Sequence, residues 1–111
     1  MPWYDEFPGA VTVCDHSGVI LEMNAKAAAS FEADGGRALI GTNVLDCHPE
    51  PARSKLADLL ANPRVNAYTV EKRDVRKLIY QAPWSERGVF QGLVELSLEI
   101  PAEMPHFDRQ G

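Results

Sequence analysis

Asp15-His16-Ser17-Gly18-Val19-Ile20-Leu21-Glu22-Met23-Asn24-Ala25-Lys26-Ala27 carries a strand end, a tight turn, a second strand and a helix start in direct succession. Val11 and Val13 lead into the turn at His16-Ser17-Gly18, and Val19, Ile20, Leu21 and Met23 lead out of it. Gly18 supplies the positive φ that such a turn commonly requires. Asn24 stands where a side-chain oxygen accepts from the free N–H groups of a helix start, and Ala27, Ala28 and Phe31 follow at helical spacing. Asn24 therefore reads as a helix cap in preference to a ligand contact.

Working outward, the region after the first helix breaks at Asp34-Gly35-Gly36, and Arg37 to Ile40 forms one more helical turn before Gly41. Thr42 to Pro51 is irregular, because Pro49 and Pro51 prevent regular pairing. A second helix starts at Pro51, with Leu56, Leu59 and Leu60 on one face and Arg53, Lys55 and Asp58 on the other; Asn62-Pro63 ends it. Three strands follow: Asn66 to Lys72, Lys77 to Trp84, and Phe90 to Ile100, with Ser85-Glu86-Arg87-Gly88 as a hairpin signal. On the last strand Phe90, Gly92, Val94, Leu96, Leu98 and Ile100 share one face, which the alternation assigns to the core. Gln91, Glu95, Ser97 and Glu99 then point outward, with Leu93 as the one apolar exception on that face.

Composition bounds the class. A chain of 111 residues builds one core, and 45% apolar residues argue against disorder. With 11 basic and 16 acidic residues the net charge is −5, which gives no electrostatic reason to expect nucleic acid or an anionic membrane as partner. No apolar run approaches the roughly 20 residues of a membrane span, and Met1 to Phe7 does not read as a signal peptide. Cys14 and Cys47 suggest reduced thiols and a cytoplasmic location.

The order of elements, two strands, a helical middle and an antiparallel meander, is α+β with helices on one side of a sheet. Asp15-x-x-Gly18-x-Ile20-x-x-x-Asn24-x-x-Ala27, Leu39-Ile40-Gly41-x-Asn43-Val44 and Gly92-Leu93-Val94-Glu95-Leu96-Ser97-Leu98 together resemble the PAS sensory domains. Cys47-His48-Pro49 before a basic helix is similar to a PAS branch of prokaryotic signalling proteins. The resemblance implies a five-stranded antiparallel sheet with helices packed on one face and a pocket beneath them. It divides the chain into an N-terminal segment 1–8, a domain 9–101 and a tail 102–111.

Candidate ligand-binding residues are His48 and Cys47 on the loop, with Tyr68, Tyr80 and Trp84 on strands that would face the pocket. The aromatic residues combine apolar area with one donor each, which suits a mostly apolar site, although ordinary packing is the simpler account of them. His48 is the one possible haem ligand; with no partner at metal spacing, no metal site is expected. Light-sensing flavin members of the family have the reactive Cys directly after Gly-x-Asn. Here Val44 follows Gly41-Thr42-Asn43, which speaks against a flavin adduct. Cys14 reads as a small core residue. Lys72-Arg73 and Arg76-Lys77 read as a solvated hairpin tip.

No phosphate loop, nucleophile elbow or paired-His signature is present, and Glu95 and Glu99 are expected on the outward face, so no enzyme is expected. The expectation is a sensory or interaction module that binds a small molecule or cofactor in a helix–sheet pocket. It would relay binding through a homodimer or a separate output protein. Leu93, with Trp3, Tyr4 and Phe7, is the expected apolar contact surface. A haem-based gas or redox sensor using His48 is the alternative, and a small enzyme acting on an apolar substrate ranks below both.

Overall fold

The computed structural model describes residues 2–110; Met1 and Gly111, the outermost positions of the expected N-terminal segment and tail, lie outside that range. Strand β1 (Ala10–Asp15) and β2 (Ile20–Met23) are followed by helix α1 (Ala25–Ser30) and two 3-10 turns (Glu32–Asp34 and Gly36–Leu39). Helix α2 (Ala52–Ala61) precedes strands β3 (Asn66–Lys72), β4 (Val75–Glu86) and β5 (Val89–Ile100). All pairings are antiparallel and the sheet order is β2-β1-β5-β4-β3. The first hairpin therefore joins the meander through β1 and β5, from Ala10 opposite Ser97 to Asp15 opposite Gly92. This is the α+β architecture that the order of elements implied, with the five-stranded antiparallel sheet that the resemblance to PAS domains implied.

Local chemistry explains each joint. Asp15 Oδ1 accepts from the N–H groups of Ser17 and Val19, both at 2.9 Å, which holds the first turn closed. Gly18 sits at φ 91° there, and a Cβ on it would meet Asn43 Oδ1 at 2.8 Å. Asn24 is fully buried and uses its whole amide. Its Oδ1 caps α1 at Ala27 N (3.0 Å) and also accepts from Val11 N (2.9 Å). Its Nδ2 donates to the carbonyls of Tyr4 and Gly9, both at 2.8 Å. One side chain thus ties the N-terminal segment, β1 and α1 together, which is more than the expected cap. The β3–β4 and β4–β5 connections are two-residue turns with both central residues at positive φ, Arg73-Asp74 and Arg87-Gly88, a geometry matched to strand twist.

Register assigns the faces of the sheet. Thr12, Glu95, Gln81 and Asn66 form one row across β1, β5, β4 and β3, and Cys14, Leu93 and Pro83 form the next on the same face. This inner face lies under the helices, and the core consists of Cys14, Ile20, Met23, Ala27, Val44, Leu56, Leu59 and Leu93 among its buried members. Val11, Leu96 and Tyr80, then Val13, Val94 and Ala82, occupy the outer face.

The expectation for β5 is thereby reversed. Leu93 is not an exposed exception; it is buried at 4% exposure. Glu95 points inward. The more apolar side of β5, with Val94, Leu96 and Leu98, is half-buried on the outer face. The reason is that a central strand has its facing set by both neighbours, and the register with β1 turns Cys14 and Leu93 together toward the helices. Part of the outer face is covered locally: Leu98 and Phe7 both crowd the space beside Gly9. Trp3 meets Tyr4 and Phe7 edge-to-face, each with ring centroids 5.6 Å apart. Among the described residues no helix is long and apolar enough to cross a membrane.

Candidate functional site

Between the inner face and the helical segments lies a cavity of about 200 Å³. Its wall is mainly apolar, with Ile20 and Met23 from β2, Leu39, Val44 and Leu56 from the helical side, and Leu93 beneath. The polar groups on it are Thr12, Asp34, Cys47, His48, Gln81 and Glu95. A few polar anchors in an apolar wall are the usual composition of a small-molecule site.

The loop carrying Cys47 and His48 is held by the first hairpin. Asn43 Nδ2 donates to Ser17 O at 2.8 Å, Val44 N to Gly18 O at 2.8 Å, and Ile20 N to Thr42 O at 2.9 Å. Asn43 Oδ1 also accepts from Leu45 N at 2.9 Å, closing the turn. The Gly41-x-Asn43-Val44 stretch is therefore a clasp between hairpin and loop. His48 Nδ1 lies 2.6 Å from Val44 O. A carbonyl only accepts, so Nδ1 carries a proton, and Nε2 is the nitrogen left without a partner among the described residues. Cys47 Sγ donates to Asn43 O at 3.4 Å.

Across the sheet floor runs a directed side-chain chain. Asn66 Nδ2 donates to Gln81 Oε1 at 2.8 Å, and Gln81 Nε2 donates to Glu95 Oε1 at 2.8 Å. With Gln81 Nε2 given to Glu95, its Oε1 is the end turned to Asn66, so one bond orients both amides. Gln81 is buried at 6% exposure. Beside this chain a second recess of about 330 Å³ continues along the inner face, sharing Thr12, Phe31 and Glu95 and adding Tyr68, Lys77 and Ser97. Burial, with the nearby Glu95 charge as a smaller cause, pushes the Tyr68 hydroxyl up from its ordinary pKa. Burial likewise raises Cys14, outweighing the lowering effect of its hydrogen bond with the Leu93 backbone.

Of the residues singled out from the sequence, His48 and Cys47 line the first cavity and Tyr68 lines the second recess. Tyr80 and Trp84 do not face either. Register puts Tyr80 on the outer face at 37% exposure. Trp84 stands opposite Gly92 and donates its indole Nε1–H to Cys14 O at 3.0 Å. That reach needs a residue without a side chain at Gly92, where a Cβ would lie 1.9 Å from the same carbonyl. Glu95, Gln81, Thr12 and Leu93 are the inward groups that sequence reasoning missed. The available signal was Gln81 itself, a polar residue inside the run Leu78 to Trp84; counting out from the two-residue turn would set it opposite Val94, and only the irregularity between Trp84 and Ser85 brings it opposite Glu95. Among the described residues no three His, Cys, Asp or Glu side chains converge as a metal site.

No protein-family model matches the sequence, and no curated protein matches it significantly. Solved structures do resemble it. A C-terminal domain from Streptococcus mutans superposes with a TM-score of 0.69 at 19% identity, covering 86% of this chain and 78% of that one. The PAS domain of Bordetella pertussis BvgS gives 0.62 at 18% identity over 87% of this chain and 80% of that one. The Aer2 receptor of Vibrio cholerae, described as a dual PAS-heme oxygen sensor, gives 0.59 at 15% identity over 84% of this chain and 95% of that one.

Proposed function

The chain has the fold of PAS sensory domains, and on that premise we propose that it is a non-enzymatic sensory module that binds a small molecule between helices and sheet. The observation that carries the reading is the roughly 200 Å³ cavity with its apolar wall and few polar groups. Its walls come from β2, the 3-10 turns, the loop 42–48 and α2, so a ligand there touches both turns, the loop and α2 at once. Occupancy shifts the packing of those elements against β4 and β5, and the outer face of the same strands carries the change to a partner.

That outer face offers half-buried Val94, Leu96 and Leu98 with Tyr80, and Phe7 meets Leu98 at its edge beside Gly9. Leu93, buried within, takes no part in it. A second copy of the chain is the proposed occupant, and a separate output protein is the proposed reader. Sedimentation should show dimers at micromolar concentration; a monomer throughout sinks the homodimer.

Native mass spectrometry of the protein as purified tests ligand binding. A noncovalent small-molecule adduct, lost on denaturation, is the expected result. Protein free of adduct that gives no thermal upshift with any class of small metabolite overturns the reading.

One observation favours a second reading, a haem-based sensor. His48 lines the cavity with Nδ1 held by Val44 O, as ligating imidazoles commonly are, which leaves Nε2 as the nitrogen free to ligate. Against it, about 200 Å³ lies below the roughly 300–1,000 Å³ of sites that enclose drug-sized ligands. A Soret band after haem loading that His48→Ala abolishes would favour this reading; no band removes it.

A further inference from the structure

Glu95 occupies an unusual position for an acidic side chain. It stands on the inner face of a central strand, shared between the two recesses, and one carboxylate oxygen is engaged by buried Gln81. Among the described residues nothing donates to the other oxygen. The three ion pairs there, Arg37–Asp5, Arg64–Asp58 and Arg76–Glu71, leave Glu95 without a cationic partner. Carboxylates placed against an apolar wall are ordinarily paired.

The charged and titratable groups around it come from every packed element. Asp34 from the first 3-10 turn and His48 from the loop share the first cavity; Tyr68 on β3 and Lys77 on β4 border the second recess. Lys77 pairs across the sheet with Glu99, four residues beyond Glu95 on β5. The wall of the first cavity thus contains no Lys or Arg, two carboxylates, and His48 with its Nδ1 engaged by Val44 O. Its polar wall is dominated by acceptors. The directed chain from Asn66 through Gln81 holds the Glu95 carboxylate toward the cavity and leaves its second oxygen without a donor.

We propose that the cavity takes a small ligand with an apolar body and a protonated amine, the amine donating to Glu95 and the body lying against Ile20, Met23, Val44 and Leu93. The inference rests on the ligand-binding reading above and names its chemical class. An anionic head group would meet two carboxylates and no cation, and a neutral acceptor would meet other acceptors. A volume of about 200 Å³, the space of roughly seven waters, limits the body to about one ring.

The test uses three probes of one shape: 2-phenylethylamine, 2-phenylethanol and phenylacetate, each titrated by calorimetry into the wild-type chain and into Glu95→Gln. The amine is expected to bind the wild type on the order of tenfold more tightly than the alcohol, with the acid weakest. In Glu95→Gln the amine should lose that advantage while the alcohol binds as before; circular dichroism checks that the variant is folded. Because the wild-type ranking needs no variant, the inference stays testable if Glu95→Gln misfolds. An alcohol or acid that binds as tightly as the amine overturns the amine class and leaves ligand binding standing. An amine preference unchanged in folded Glu95→Gln overturns the role of Glu95. No binding by any probe overturns the class and counts against the cavity as a ligand site as well.

Discussion

The inner and outer faces of the sheet differ in the opposite sense from a simple core and surface. The inner face carries Thr12, Gln81, Glu95, Ser97 and Tyr68 beside its buried Cys14 and Leu93; the outer face carries Val11, Val13, Val94, Leu96 and Leu98. A sheet whose covered side is the more polar has reserved that side for something other than packing. Polar groups beneath helices persist only where they are hydrogen-bonded to one another or to a ligand. Among the described residues no buried side-chain polar atom lacks a partner. The outer face, conversely, sets half-buried apolar side chains side by side, and it is the face that the proposed partner contact uses.

The strongest way to break this arrangement is at Gly92, where the two faces are locked in register. Gly92→Ala would set a methyl against Cys14 O, 1.9 Å away, and displace both the β1–β5 pairing and the Trp84 indole. The expected loss is about 4 kcal/mol or more, measured by urea unfolding. A near-neutral result would mean that β1 and β5 do not approach as described.

The faces themselves are compared by Leu93→Ala and Leu96→Ala, neighbours on one strand that point opposite ways. Leu93→Ala should cost about 3 kcal/mol, because it removes a buried side chain from the core and enlarges the cavity that it lines. Leu96→Ala should cost about 1 kcal/mol in the isolated chain, since its side chain is only half-buried. Equal effects, or the reverse order, would restore the facing read from alternation alone.

The smallest effect concerns the two thiols. Cys14 is buried on the inner face with its pKa raised above the ordinary thiol value, chiefly by burial, whereas Cys47 is exposed. A raised thiol pKa means less thiolate at neutral pH, and access is blocked as well. One cysteine should react with iodoacetamide in the folded protein and both after unfolding, as peptide mass spectrometry reads out. Equal labelling at both positions in the folded state would show the inner face to be open.

Much of the fold was legible because its joints are local. Asp15, Gly18 and Asn24 act within a few residues of themselves through turn closure and helix capping, and those are properties of adjacent backbone. The helix over Leu56 and Leu59 and the three-stranded meander followed from periodicity. Asn24 exceeded its reading only where its amide reaches Tyr4 and Gly9, contacts made by folding the distant N-terminal segment back. The site was less legible. His48 and Cys47 were visible as a loop motif, while Tyr80 and Trp84 stood out by residue type and lie on the far face. Glu95 was set aside because it belongs to the polar side of an alternating strand.

From the sequence alone came the order of elements, the turns, the caps and the class of fold, since each depends on neighbours along the chain. The tertiary structure alone decided which side of β5 faces the helices, and with it the identity of the polar groups in the cavity. Alternation distinguishes two sides of a strand without saying which is covered. That choice belongs to the register with β1 and β4 and to the helices that close over only one face.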